Sequence, residues 1–86
     1  MTEITMNCTA FCPNCVRAEM LLKSKGVEVT EKIFVDNTTG GFQTLAELTG
    51  RRTVPQIFIG ERHIGGFDDL AALDASGGLD PLLAED

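Results

Sequence analysis

Pro13 limits how this chain can fold more than any other residue. It follows the alternating stretch Thr2–Asn7, in which Ile4 and Met6 share one face, as in a half-buried strand. A proline cannot extend such a strand into the middle of a sheet, but it suits the first turn of a helix, where its missing N–H is no loss. Helical spacing begins at once. Cys15, Ala18, Leu21 and Leu22 fall on one face, Glu19 and Lys23 form an i,i+4 pair outside, and Lys23 and Lys25 lie in the last turn before Gly26. A strand is thus expected to feed directly into a helix that opens at Cys12-Pro13.

The rest of the chain continues the alternation. Val27–Asp36 is rich in β-branched residues and reads as a second strand, and Asn37–Gly41 as a turn. A short helix is expected from Phe42, Leu45, Ala46 and Leu48, ending at Gly50. "QIFIG" and "RHIGG" flank Gly60-Glu61, a two-residue link with glycine first that suits a type II′ hairpin. "FDDLAALDA" reads as a helix with acidic residues in its first turn. Asp80-Pro81 caps a terminal turn, with Leu82 and Leu83 expected to close the core. A parallel strand–helix–strand unit needs a right-handed crossover, and the hairpin adds an antiparallel pair. The expected fold is therefore α/β: β-α-β-α-β-β-α, a four-stranded mixed sheet flanked by helices.

At 86 residues the sequence is expected to form one domain, 1–86, with one core. Hydrophobic residues at 43% and charged residues at 23% place it among globular chains. No apolar run approaches the ~20 residues of a membrane span, and the first residues lack a basic-then-apolar leader pattern, so a cytoplasmic location is expected. A net charge of −6 without a basic stripe argues against nucleic acid and anionic membrane as partners.

The chemistry lies in Cys8, Cys12 and Cys15, the only cysteines. They do not look like structural staples, because Cys12 and Cys15 would close almost no loop. Cys-Pro-Asn-Cys fits either metal binding or a dithiol–disulfide switch, and its place between a strand and a helix favours the switch. Cys12, at a helix N-terminus, meets unpaired N–H groups and the positive end of the dipole, which favour the thiolate, the reactive form. Cys15, one turn inward on the apolar face, fits a resolving thiol. Cys8 reads as a small, partly buried side chain, with a regulatory thiol or a third cluster ligand as sharper options. A zinc set of Cys8, Cys12, Cys15 and His63 would need four converging ligands, and His63 lies on the hairpin with no clear route to them.

Together "CPNCVRAEMLLKSKGV", "RRTVPQIFIG", "HIGGFDDLAALD" and "GGLDPLL" resemble the glutaredoxin family over essentially the whole chain, most of all its small bacterial dithiol members. The resemblance implies a thioredoxin fold, and glutathione as co-substrate with no tightly bound prosthetic group or metal. It implies Cys12 and Cys15 as catalytic residues, and Asn14, Thr53, Val54, Pro55, Gly66, Phe67 and Asp68 as the glutathione site. Within that site it implies a cis bond at Val54-Pro55, the Val54 backbone pairing with the cysteinyl backbone of glutathione, and the γ-glutamyl carboxylate on the N–H groups of Phe67 and Asp68. Arg51 and Arg52 would bring positive charge toward the glycyl carboxylate, though each alone reads more readily as a solvated loop charge.

The implied function is glutathione-dependent reduction of glutathione mixed disulfides and of protein disulfides. The implied partners are glutathionylated proteins and disulfide substrates such as ribonucleotide reductase, served by a monomer. Two alternatives stand beside it: a ribonucleotide-reductase electron donor reduced by thioredoxin reductase, and a non-catalytic iron–sulfur-binding glutaredoxin. The chain departs from the family pattern at Asn14, where an aromatic residue is commonest. It departs again at Thr9, where a lysine is frequent, and at Phe67, where close relatives often carry a cysteine.

Overall fold

The computed structural model describes residues 3–84; Thr2, with which the first expected strand opens, lies outside the described residues. The elements run β1 (Ile4–Cys8), α1 (Pro13–Ser24), β2 (Glu31–Phe34), a 3-10 turn (Val35–Asn37), α2 (Gly41–Thr49), β3 (Gln56–Ile59), β4 (Arg62–Gly65), α3 (Phe67–Ala75) and α4 (Leu79–Ala84). The four-stranded sheet has the order β2-β1-β3-β4. β1 pairs in parallel with β2 and antiparallel with β3, and β4 runs antiparallel to β3. The mixed sheet and its flanking helices are those expected from the sequence.

The period-2 face of β1 drives the packing. Ile4, Met6 and Cys8 enter one core cluster with Cys15, Ala18 and Leu22 of α1, Ile57 and Ile59 of β3, Leu70 of α3 and Leu79 of α4. Fully burying one such leucine or isoleucine contributes about 1.5–3 kcal/mol, so this cluster holds α1 and α3 against the sheet. α2 packs onto the 3-10 turn, where Leu45 and Val35 are buried away from that cluster. The hairpin link behaves as expected: Gly60 has φ +62° and, among the described residues, none other than glycine has positive φ, which excludes a type I′ turn and suits type II′.

Four local expectations need correction. β2 covers only Glu31–Phe34, because Val27 N–H returns to the Leu22 carbonyl at 3.2 Å and Thr30 N–H reaches the Ile4 carbonyl at 2.8 Å before the ladder begins. Beyond Phe34 the chain turns into the 3-10 segment. Glu19 bonds Lys32 at 2.6 Å across α1 and β2, so the i,i+4 pairing with Lys23 is displaced by a tertiary partner. On α2 only Leu45 of the four apolar positions is fully buried, while Phe42 and Leu48 face solvent. The C-terminal element is a helix that starts at Leu79 rather than a turn capped by Asp80-Pro81; Leu82 and Leu83 pack against the core as expected, and Leu79 is the fully buried residue.

Candidate active site

Strand register assembles the site. Asn7 opposes Gln56, Cys8 lies beside Phe34, and Gly65 opposes Ile57. The segment after β1, the segment before β3 and the segment after β4 therefore emerge at one end of the sheet. They carry Cys12, Val54-Pro55 and Gly66-Phe67.

Cys12 is the N-cap of α1, with extended backbone (φ −130°, ψ 100°) and Pro13 immediately inside the helix. Its Sγ accepts the Cys15 backbone N–H at 3.2 Å, so the sulfur takes the place of a capping oxygen on an otherwise orphaned donor. That donor and the positive end of the helix dipole both face the sulfur. The preceding loop is tied down by Asp36, whose Oδ2 accepts the Ala10 N–H at 3.3 Å.

Cys15 is buried on the inner face of the same helix, and burial, reinforced by its contact with Cys12, pushes its thiol well up from the ordinary value. The two thiols thus differ in kind. Cys12 is half-buried at a helix N-terminus, whereas Cys15 holds its proton in the core. Cys8 is also a core thiol, pushed up by burial against an opposing pull from Lys32. His63 is engaged elsewhere: its Nε2 lies 2.7 Å from Gln56 Oε1 and its ring 5.0 Å from that of Phe58.

Val54-Pro55 is a cis peptide, as the resemblance implied. Pro55 is buried and Val54 packs against the core cluster, as do Cys12 and Phe67. Gly66 caps α3 so close to Pro55 that an added Cβ would stand 3.4 Å from the Pro55 carbonyl oxygen. Phe67 and Asp68 open α3, so their N–H groups lie outside the intrahelical ladder. Thr53 is exposed, its Oγ1 accepting Gln56 Nε2 at 3.2 Å. Asn14, in the first turn of α1, and Asp68 are exposed side chains.

Arg51 is the exposed loop charge expected from the sequence, but it is also paired. Its Nη1 donates to Asp69 Oδ2 at 2.7 Å, and the same oxygen accepts the Gly66 N–H at 2.9 Å. These two contacts hold the Asp69 carboxyl below its usual range. The paired side chains are 48% and 42% exposed, and a pair so hydrated adds at most ~1 kcal/mol to stability.

Two residues around the site escaped sequence reasoning, and the capping role open to Asp69 in the first turn of α3 is borne out by its bond to the Gly66 N–H. Asp36 acts through a single contact, to the Ala10 N–H, that no periodicity announces. Gln56 left a faint signal, a polar residue opening the apolar run "QIFIG". It is fully buried and bonds both Thr53 and His63.

A sequence model described as Glutaredoxin matches residues 3–64. Glutaredoxin 3 of Escherichia coli (strain K12) is 49% identical over 83 residues, spanning 96% of this chain and 99% of that protein. The chain belongs to the glutaredoxin family. Its fold is the thioredoxin fold of solved glutaredoxins. The solution structure of glutaredoxin from Brucella melitensis matches at TM-score 0.83 and 43% identity, over 96% of this chain and 89% of that one. The crystal structure of a buckwheat glutaredoxin–glutathione complex matches at TM-score 0.86 and 32% identity, over 95% and 76%. As a glutaredoxin the chain is a thiol–disulfide oxidoreductase, and the proximity of Cys12 and Cys15 fits a Cys-x-x-Cys site. No helix among the described residues is long and apolar enough to cross a membrane.

Proposed function

We propose that this glutaredoxin, as a single domain 1–86, is a glutathione-dependent oxidoreductase of the cytoplasm, reducing glutathione mixed disulfides and protein disulfides. The observation that carries the reading is the unequal dithiol: Cys12 Sγ receives the Cys15 N–H at the mouth of α1, while the Cys15 side chain is buried behind it. The buckwheat relative crystallised with glutathione supports the choice of co-substrate.

With a glutathionylated substrate, the Cys12 thiolate attacks the glutathione sulfur and the substrate leaves as its thiolate. A second glutathione thiolate attacks the glutathionyl sulfur on Cys12, releasing glutathione disulfide and restoring Cys12. With a protein disulfide such as that of ribonucleotide reductase, Cys12 forms a mixed disulfide. Cys15 then loses its proton and attacks the Cys12 sulfur, the substrate thiol leaves protonated, and two glutathiones reduce the Cys12–Cys15 bond. Glutathione lies along Thr53, Val54 and Pro55, its cysteinyl backbone pairing with Val54 as an added strand does. Its γ-glutamyl carboxylate takes the Phe67 and Asp68 N–H groups at the N-terminus of α3, next to Gly66, and the Asp68 carboxylate faces its ammonium. Asn14 forms a small polar flank. No prosthetic group, metal, nucleic acid or membrane enters this scheme, and a monomer suffices.

The test is glutathione-coupled reduction of a small glutathione mixed disulfide, with NADPH and glutathione reductase, by wild type, Cys12→Ser and Cys15→Ser. The reading expects loss of activity in Cys12→Ser and retention in Cys15→Ser. An inactive wild type would refute it.

A further inference from the structure

Asp69 occupies an unusual seat. Gly65 has φ +119°, and an added Cβ there would overlap the Asp69 carboxylate, so the carboxylate fills the space a side chain would take. One of its oxygens then serves two segments at once, taking the Gly66 N–H at 2.9 Å and Arg51 Nη1 at 2.7 Å. Arg51 begins the run that leads through Thr53 to the cis Val54-Pro55 bond, and Gly66 begins the turn into α3. Directly between them, Gly66 already approaches the Pro55 carbonyl. Because Asp69 is engaged by Gly66, the N–H groups of Phe67 and Asp68 remain outside its cap. The pair is half-hydrated, and a contact of that kind sets geometry more than stability.

We infer that the Arg51–Asp69 pair, seated against Gly65, is a positioning device that fixes the 51–55 segment against the N-terminus of α3 and so sets the selectivity of the site for glutathione disulfides over other disulfides. This rests on the glutathione reading above. Neither residue touches the reacting sulfurs. Their contribution is to hold two walls in register, where a displacement of an ångström is costly to a bound ligand.

The experiment compares wild type, Arg51→Met, Arg51→Lys, Asp69→Asn and the Arg51→Met/Asp69→Asn double variant. Each protein is assayed in steady state on a cysteinyl–glutathione mixed disulfide with glutathione, NADPH and glutathione reductase supplying the electrons, and separately, pre-reduced and without glutathione, in a single turnover on bis(2-hydroxyethyl) disulfide. In Arg51→Met the KM for the glutathione disulfide is expected to rise about 5- to 10-fold with kcat within about twofold. Reduction of the other disulfide and alkylation of Cys12 by iodoacetamide should be unchanged. Arg51→Lys should restore most of the KM, and the double variant should be no worse than the poorer single one, because both remove one interaction. Should Asp69→Asn lose its fold with its cap, the exposed Arg51→Met still decides the matter. An unchanged KM in Arg51→Met, or independent multiplying effects in the double variant, overturns the pair's role. A wild type with no preference for glutathione disulfides instead overturns the glutathione reading on which it rests.

Discussion

Replacing Gly65 by alanine should destabilise this protein more than the same change at another left-handed glycine, by an amount the structure supplies. Gly65 has φ +119° and Gly77 has φ +81°, so both substitutions force an L side chain into backbone that it rarely adopts. That costs about 1–3 kcal/mol, and no less at Gly65, which lies farther from the left-handed helical well. Both also remove similar freedom from the unfolded chain, a gain of about 0.4–1 kcal/mol that cancels in the comparison. At Gly77 a new Cβ meets nothing within 4 Å, whereas at Gly65 it displaces the Asp69 carboxylate. The displaced carboxylate loses its bond to the Gly66 N–H, a cap worth about 1 kcal/mol. For a domain of this size each kcal/mol lowers Tm by about 4–8 °C. Gly65→Ala should therefore melt about 4–8 °C below Gly77→Ala in thermal scans followed by circular dichroism. Amide exchange at Gly66 should accelerate in the first variant alone. Equal melting temperatures with unchanged Gly66 exchange would refute the seat assigned to Asp69.

The buried thiols predict a pH dependence. Cys8 and Cys15 are both pushed up from the ordinary thiol range by burial, so above the unfolded value of about 8.5 the unfolded chain gives up protons that the folded chain keeps. Their contribution to stability is complete below that pH and declines as pH rises beyond it. Tm measured from pH 7 to 10 should fall, and fall less in Cys15→Ala. Gln56→Met should cost about 1–3 kcal/mol in denaturant titration, because a fully buried amide loses bonds to Thr53 and His63. Asp36→Ala exposes only a solvent-accessible N–H of Ala10, so a Tm within a few degrees of wild type is expected, with faster exchange at that amide.

Much of this architecture was legible because a few residues admit few conformations. Pro13 after an alternating strand dictates a helix start, and Ile4 and Met6 then identify the buried face. Glycine at position 60 announces the hairpin. Composition was a poorer guide to extent: the β-branched run from Val27 suggested a long strand, yet strand length is set by the partner, and β1 pairs only Glu31–Phe34. Charged contacts were the least legible. Glu19 preferred Lys32 to its helical neighbour, and Arg51 was taken by Asp69, because both outcomes depend on elements distant in sequence. At the site, the two cysteines and the cis proline were readable from motifs, whereas Gln56 and Asp36 act through bonds that only the folded register creates.

The central claim is that Cys12 alone is the nucleophile that takes up glutathione, with Cys15 in reserve. The most direct test is intact-mass analysis and peptide mapping of Cys15→Ser after brief exposure to stoichiometric glutathione disulfide. The account predicts one glutathionyl group, located on Cys12, with the buried Cys8 unmodified. An adduct on Cys8, or none on Cys12, would contradict it.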